Sequence, residues 1–170
     1  VAGQSNSANH GEEKQKAKSG MVSSFDRLNW HPADDPQRGA SGTGGSFMPP
    51  LGDILAEKFG VPIGFIPIGI GATSVREWLP TGVTFPNPPT ILSRVKKTAD
   101  GQWESDGKAY AMLVKRMGSV PAFRAVLWHQ GESDAGLKQA DYLKLLTRFV
   151  GRLREDLGAP DLPVLIGEVY

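Results

Sequence analysis

The spacing of apolar positions predicts helices alternating with short buried strands. From Phe47 onward, Leu51, Ile54, Leu55 and Phe59 recur at helical intervals; Pro49 and Pro50 suit a first turn, and Gly60 is a natural stop. The run Val61-Pro62-Ile63-Gly64-Phe65-Ile66-Pro67-Ile68-Gly69-Ile70 reads as a buried strand leaving through a glycine-rich turn. A helix is predicted over residues 106–117, and Phe123-Arg124-Ala125-Val126-Leu127-Trp128 reads as the next buried strand. Tyr142, Leu145, Leu146, Phe149, Leu153 and Leu157 then share one helical face, closed by Gly158 and Pro160. Residues 164–169 form a further apolar run, expected as another buried strand. Residues 3–46 and 80–105 show neither period and are expected as long loops.

Helix and strand in alternation imply an α/β fold with a parallel sheet and right-handed crossovers. In such sheets the chemistry gathers beyond the carboxyl ends of the strands. Three segments hold that position if Val1-Ala2 closes a first strand: Gly3-Gln4-Ser5-Asn6, Gly69-Ile70-Gly71-Ala72-Thr73-Ser74 and His129-Gln130-Gly131-Glu132-Ser133-Asp134.

Composition narrows the picture. With 19 basic and 18 acidic residues the formal charge is +1, which gives no footprint for nucleic acid or an anionic membrane. No apolar run approaches the roughly 20 residues that span a bilayer. The absence of cysteine excludes disulfides and thiolate metal sites. The 21 glycines and 13 prolines among 170 residues fit a domain with long ordered loops. The abrupt start at Val1 leads us to expect a chain trimmed at its first strand.

Ser5, on a tight turn beside Gly3, can hold its hydroxyl clear of its own backbone and aim its N–H at a developing oxyanion, although an ordinary Ser-Asn turn has the same letters. Gly71 is a second candidate oxyanion donor, or simply part of a tight strand exit. In the third segment Gln130 could donate its amide and Glu132 could orient an imidazole; alternatively Ser133 or Asp134 caps the following helix. Asn6, Arg76 and His129 are candidate substrate contacts, with Arg76 and Glu77 read first as a solvated pair. No pair among His10, His31 and His129 has metal-ligand spacing, and the Asp34-Asp35 pair near His31 is unspecific, so neither metal nor cofactor is expected.

Taken in order, the three segments resemble the SGNH-hydrolase superfamily, and more narrowly the sialate O-acetylesterase and carbohydrate esterase family six group. Gly3-Gln4-Ser5-Asn6 looks like the nucleophile block, and Gly45-Ser46-Phe47 with Gly64-Phe65-Ile66-Pro67 and the 69–74 segment looks like the second. Trp128-His129-Gln130-Gly131-Glu132-Ser133-Asp134 looks like the third and most specific. The resemblance covers nearly the whole chain. It implies a three-layer α/β/α sandwich with a parallel, flavodoxin-like sheet, forming one esterase domain over residues 1–170, incomplete at both ends.

It further implies a serine esterase that removes acetyl groups from carbohydrates such as sialic acid or xylan. Ser5 would be the nucleophile, with an oxyanion hole of Ser5, Gly71 and Gln130 and with Glu132 as acid partner of a histidine. That histidine lies, in the family, in an Asp-x-x-His block that this sequence lacks, so these residues alone are expected to turn over slowly. An excised piece of a longer esterase is the preferred explanation, a natural chain that has lost the chemistry the other. A non-catalytic carbohydrate-binding module and a lipid or thioester hydrolase are the competing functions. Acetylated glycans are met mainly outside the cytoplasm, so a secreted or periplasmic setting is expected.

Overall fold

The computed structural model describes residues 1–169, which divide into two compact units, one of Val1–Gly71 and one beginning at Ala72. The first unit holds β1 (Ala2–Gly3), β2 (Val22–Phe25), β3 (Trp30–Pro32), α1 (Met48–Phe59) and β4 (Ile63–Phe65). β2 lies between its two neighbours, antiparallel to β3 and parallel to β4, in the register Val22↔Ile63 and Ser24↔Phe65. The β2–β3 hairpin corrects the expectation of a featureless loop over residues 3–46. Its strands are three and four residues long, too short to display a period of two, and Asp26 makes the turn by accepting the Leu28 and Asn29 amides. Beyond β4 the chain runs beside β1: Ile68 N–H donates to the Val1 carbonyl at 2.8 Å and Ile70 N–H to that of Gly3 at 2.9 Å.

Helix α1 begins at its two prolines and ends at Gly60, whose φ of 65° is left-handed. Its buried face differs from the one the apolar spacing predicts. Met48, Pro49, Gly52 and Ala56 are buried, whereas Ile54 and Phe59 are each 61% exposed. A Cβ on Gly52 would sit 2.3 Å from a Val22 methyl, so the helix approaches β2 through its smallest residues.

The second unit opens with a 3-10 turn, Val75–Trp78, followed by β5 (Thr84–Phe85), β6 (Val95–Lys97), β7 (Trp103–Ser105) and α2 (Lys108–Met117). β5 and β6 flank β7, both antiparallel to it, which corrects the loop expected over residues 80–105. β8 (Val126–His129), α3 (Gln139–Asp156) and β9 (Val164–Ile166) complete the unit, and β9 pairs with β8 in parallel. α3 buries Leu145, Leu146, Phe149 and Leu153, the face its period predicted. Phe149 touches Trp128 (centroids 4.7 Å apart) and Tyr110 (6.3 Å), and Trp128 meets Trp78 edge-on at 5.5 Å. β9 departs from expectation: Leu165 and Ile166 are each 55% exposed, because strand pairing to β8 covers edges and leaves faces to be covered by other elements. The chain is thus mixed α/β, with parallel pairing in both units and three α-helices among the described residues.

Candidate active site

In the first unit the buried strand β1 ends at Gly3, whose φ of 128° is open to glycine, and the chain turns at once into the 3-10 segment Ser5–Ser7. Ser7 N–H donates to the Gln4 carbonyl at 2.9 Å, Ala8 N–H to that of Ser5 at 3.0 Å, and the Ser7 hydroxyl to Gln4 again at 2.8 Å. This turn holds Ser5 half-buried and Asn6 exposed. Gly69 lies against it: a Cβ there would come within 2.5 Å of the Ser7 carbonyl oxygen.

The following loop is ordered by two polar side chains, Asn9, which the sequence reading passed over, and Asp35, which it weighed only as an unspecific neighbour of His31. Asn9 donates to the Gln37 carbonyl at 2.9 Å and accepts the Gln37 amide at 2.6 Å. Asp35 accepts the backbone amides of Gln15 and Ser46, the Ser46 hydroxyl and the Gln37 carboxamide. Gly71 N–H, a sequence-predicted oxyanion donor, donates to the Ser41 hydroxyl at 2.7 Å, and the His10 imidazole stands 3.3 Å from the same hydroxyl. Gly71 therefore acts on a substrate only by exchanging Ser41 for it.

In the second unit the polar residues are tied together by Asp134. Its carboxylate accepts the Ser74 hydroxyl at 2.6 Å, Val75 N–H at 2.7 Å, an Arg76 guanidinium N–H at 3.0 Å and the Gln130 amide at 2.7 Å. Asp134 thus joins the 74–76 turn to the strand exit instead of capping α3, whose N-cap is Lys138. Ser74 and Glu77 form a capping box around the 3-10 turn, a signal legible as Ser-x-x-Glu but missed.

Arg76 and Glu77 are not the solvated pair expected. Arg76 is 6% and Glu77 0% exposed, and they have separate partners. Arg76 also donates to the carbonyls of Asn87 and Pro88, while Glu77 receives Arg94 at 3.0 Å. Burial pushes the Glu77 carboxyl above its ordinary value, against the pull of the Ser74 amide and Arg94. Arg76 lines a hollow of about 180 Å³ together with Phe85, Asn87 and Lys144.

Gln130 is 2% exposed, and its amide nitrogen donates to the Thr73 carbonyl at 2.9 Å as well as to Asp134. The Tyr142 hydroxyl donates to the Gln130 backbone carbonyl at 2.7 Å, and burial raises that phenol above its usual value. The amide hydrogens of Gln130 therefore already have acceptors within this unit. Glu132 opens the 3-10 turn Glu132–Asp134 and is half-buried; the half-buried His129 ring lies against Gly167. The structure thus gathers Gln130 with Asp134, Ser74 and Arg76, and Gly71 with Ser41 and His10. No group of three or more His, Asp or Glu side chains suited to a metal ion occurs among the described residues.

Comparison with known proteins gives a consistent answer. Residues 1–170 match the family described as carbohydrate esterase, sialic acid-specific acetylesterase. A stretch of 74 residues is 36% identical to a probable carbohydrate esterase of Arabidopsis thaliana, covering 40% of this chain and 28% of that protein. An Arabidopsis thaliana protein of known structure superposes with a TM-score of 0.68 at 22% identity, over 98% of this chain and 71% of that one. A carbohydrate acetylesterase from Xanthomonas citri gives 0.64 at 16% identity, over 97% of this chain and 39% of that one. The structure of NanS gives 0.62 at 18% identity, over 100% of this chain and 66% of that one. At these identities the structural likeness is one of fold.

Proposed function

Because the chain belongs to the carbohydrate esterase family of sialic acid-specific acetylesterases, we propose that the protein cleaves O-acetyl groups from carbohydrates by nucleophilic attack of Ser5. The observation that carries this reading is the family match over residues 1–170. The turn geometry supports it: Ser5 follows a buried strand through a glycine with positive φ, on a segment held by its own backbone hydrogen bonds. The expected three-layer sandwich belongs to the same proposal.

In the proposed reaction the Ser5 hydroxyl oxygen bonds to the acetyl carbonyl carbon and its proton passes to an imidazole. The Ser5 amide is assigned to stabilise the oxyanion, joined by the Gly71 amide once it exchanges Ser41 for substrate and by the Gln130 carboxamide only if it gives up Thr73 or Asp134; each such donor is worth about 10²–10³ in rate. Collapse expels the sugar oxygen, which takes the proton back. Water then attacks the acetyl-serine, releasing acetate and restoring the hydroxyl. Glu132 is assigned to orient the imidazole, and Asn6, Arg76 and His129 to contact the sugar. None of His10, His31 and His129 stands in an Asp-x-x-His setting, so these residues alone are expected to show little turnover.

The test is acetate release from O-acetylated sialic acid and acetylated xylo-oligosaccharides by the protein at its full natural length. Ser5→Ala is expected to lower kcat by about 10⁴-fold or more. Unchanged turnover in that variant removes Ser5 from the mechanism. Robust turnover by the 170 residues alone would assign the base to one of their own histidines.

A further inference from the structure

Residues 84–87 and the first half of α3 line, with Arg76, the hollow of about 180 Å³ in the second unit. Three charged side chains on its wall come from α3: Asp141, Lys144 and Arg148. Lys144 and Arg148 are four residues apart and share one helical face, with Asp141 one turn before them. All three are exposed, and none of their side chains has a hydrogen bond or ion pair among the described residues. One turn further along the same row, Arg152 is paired on its own helix, with Glu155 at 3.1 Å and Asp156 at 3.2 Å. The pairing thus stops at the two cations that line the hollow. Residues 84–87 bring no charge to meet them, and the exposed Asn87 carboxamide is also without a partner among the described residues. Arg76 adds no net charge, because its guanidinium is matched by Asp134 at 3.0 Å. The lining therefore carries two unmatched cations against one carboxylate, and like charges at this spacing repel each other.

This lining selects the charge and the shape of a ligand. Two cations repel a metal ion and attract an anion. The planar fork of Arg148 matches the two oxygens of a carboxylate, and Lys144 adds a point charge beside it. Asp141 opposes a dianion such as phosphate by like-charge repulsion, but it accepts bonds from hydroxyl groups. The Asn87 carboxamide offers hydroxyls both a donor and an acceptor. Pro86 and Leu137 give apolar surface to the C–H face of a ring. At about 30 Å³ per water the space equals roughly six water molecules, which admits a carboxylate and one edge of a ring rather than an oligosaccharide. We propose that this hollow binds the carboxylate of an acidic sugar, held by Arg148 and Lys144 and flanked by Asp141 and Asn87. Arg76 is also a sugar contact of the proposed reaction. The inference rests on that reading for its place in catalysis, where it narrows the substrate class to carboxylate-bearing carbohydrates.

The test uses ligands that carry no ester, so that binding is read apart from turnover. Two acidic glycosides, the methyl α-glycoside of N-acetylneuraminic acid and methyl β-D-glucuronide, are titrated into the full-length protein at fixed ionic strength and followed by backbone amide NMR. Methyl β-D-glucopyranoside, which lacks only the carboxylate of the glucuronide, and inorganic phosphate are the comparisons. At least one acid is expected to bind with millimolar affinity, shifting the amides of residues 84–87 and 141–148 in wild type and in Ser5→Ala alike. Arg148→Gln and Lys144→Gln, both on exposed side chains, are each expected to weaken that binding about tenfold with the unfolding midpoint unchanged. Equal affinity for the glucoside and the glucuronide, shifts confined to other residues, tighter binding of phosphate, or full affinity in both variants would each overturn the proposal. So would no binding of either acid up to about 50 mM. Binding of the acids with turnover unchanged in Ser5→Ala would strike the nucleophile and leave this site. Turnover abolished in Ser5→Ala without binding of the acids would strike this site and leave the nucleophile.

Discussion

The Arg76 guanidinium stands 3.0 Å from the Asp134 carboxylate, with only 7% and 1% of the two side chains exposed. An ion pair so deeply buried does little for stability compared with a well-packed apolar pair, but breaking it strands a charge. Asp134→Asn keeps one acceptor oxygen, places an NH₂ opposite existing donors and leaves Arg76 without its counter-charge. The expected loss is about 3–5 kcal/mol, read as a lower urea midpoint. A loss below about 1 kcal/mol would mean the pair is solvated in solution.

The aromatic cluster of the second unit depends on Phe149, which is fully buried between Tyr110 and Trp128. Phe149→Ala is expected to cost about 3–5 kcal/mol and to change the near-ultraviolet circular dichroism of the tryptophans. Leu143→Ala, on the exposed face of the same helix, is expected to cost no more than about 0.5 kcal/mol.

Gly69→Ala tests the link between packing and chemistry in the first unit. The added methyl would meet the Ser7 carbonyl oxygen at 2.5 Å and the Ser7 hydroxyl at 2.6 Å, both on the turn that carries Ser5. Backbone cannot yield without moving the turn, and a displacement near 1 Å costs about 10²-fold in rate. In the full-length protein kcat is expected to fall by about that factor while far-ultraviolet circular dichroism stays native. Wild-type kcat with native spectra would show that the turn does not position Ser5 for the proposed attack.

Two carboxyl groups give stability opposite dependences on pH. The Asn29 and Leu28 amides hold Asp26 at about 2, below its ordinary 3.8. As pH falls, the unfolded chain takes up this proton first, so the contribution is complete above about 3.8 and is lost as pH approaches 2. Burial raises Glu77 above 4.5, so between that value and its folded pKa the native state holds the extra proton and stability grows as pH falls. Asp26→Asn is expected to flatten the acid limb of the stability–pH profile, and carboxyl NMR titration should place the two groups on opposite sides of their ordinary values. An unshifted Asp26 titration would contradict the turn geometry.

Much of this was legible in one dimension, and the misses share a cause. α3 displays its buried face over eighteen residues, enough for the helical period to emerge, and α1 carries prolines and a glycine at its ends. Strands β2, β3 and β5–β7 run for two to four residues, too short for alternation to register. On α1 the apolar period pointed to the wrong face because Gly52 allows a closer approach to Val22 than any larger residue would. The candidate site followed the same rule: the segments around Ser5, Gly71 and Gln130 stood out by residue type, but their present partners did not.

The sequence by itself determined much of the alternation of helix and strand, the family, and the segments that hold the candidate site residues, because these rest on local period, turn chemistry and residue order. Only the tertiary structure decided that Arg76 and Glu77 are buried, that Asp134 binds the 74–76 turn, and that Asn9 and Asp35 order the loop of the first unit. Such partnerships join residues as far apart as the 60 positions between Ser74 and Asp134. A polar side chain's hydrogen bonds depend on which distant backbone arrives beside it, and no local pattern encodes that arrival.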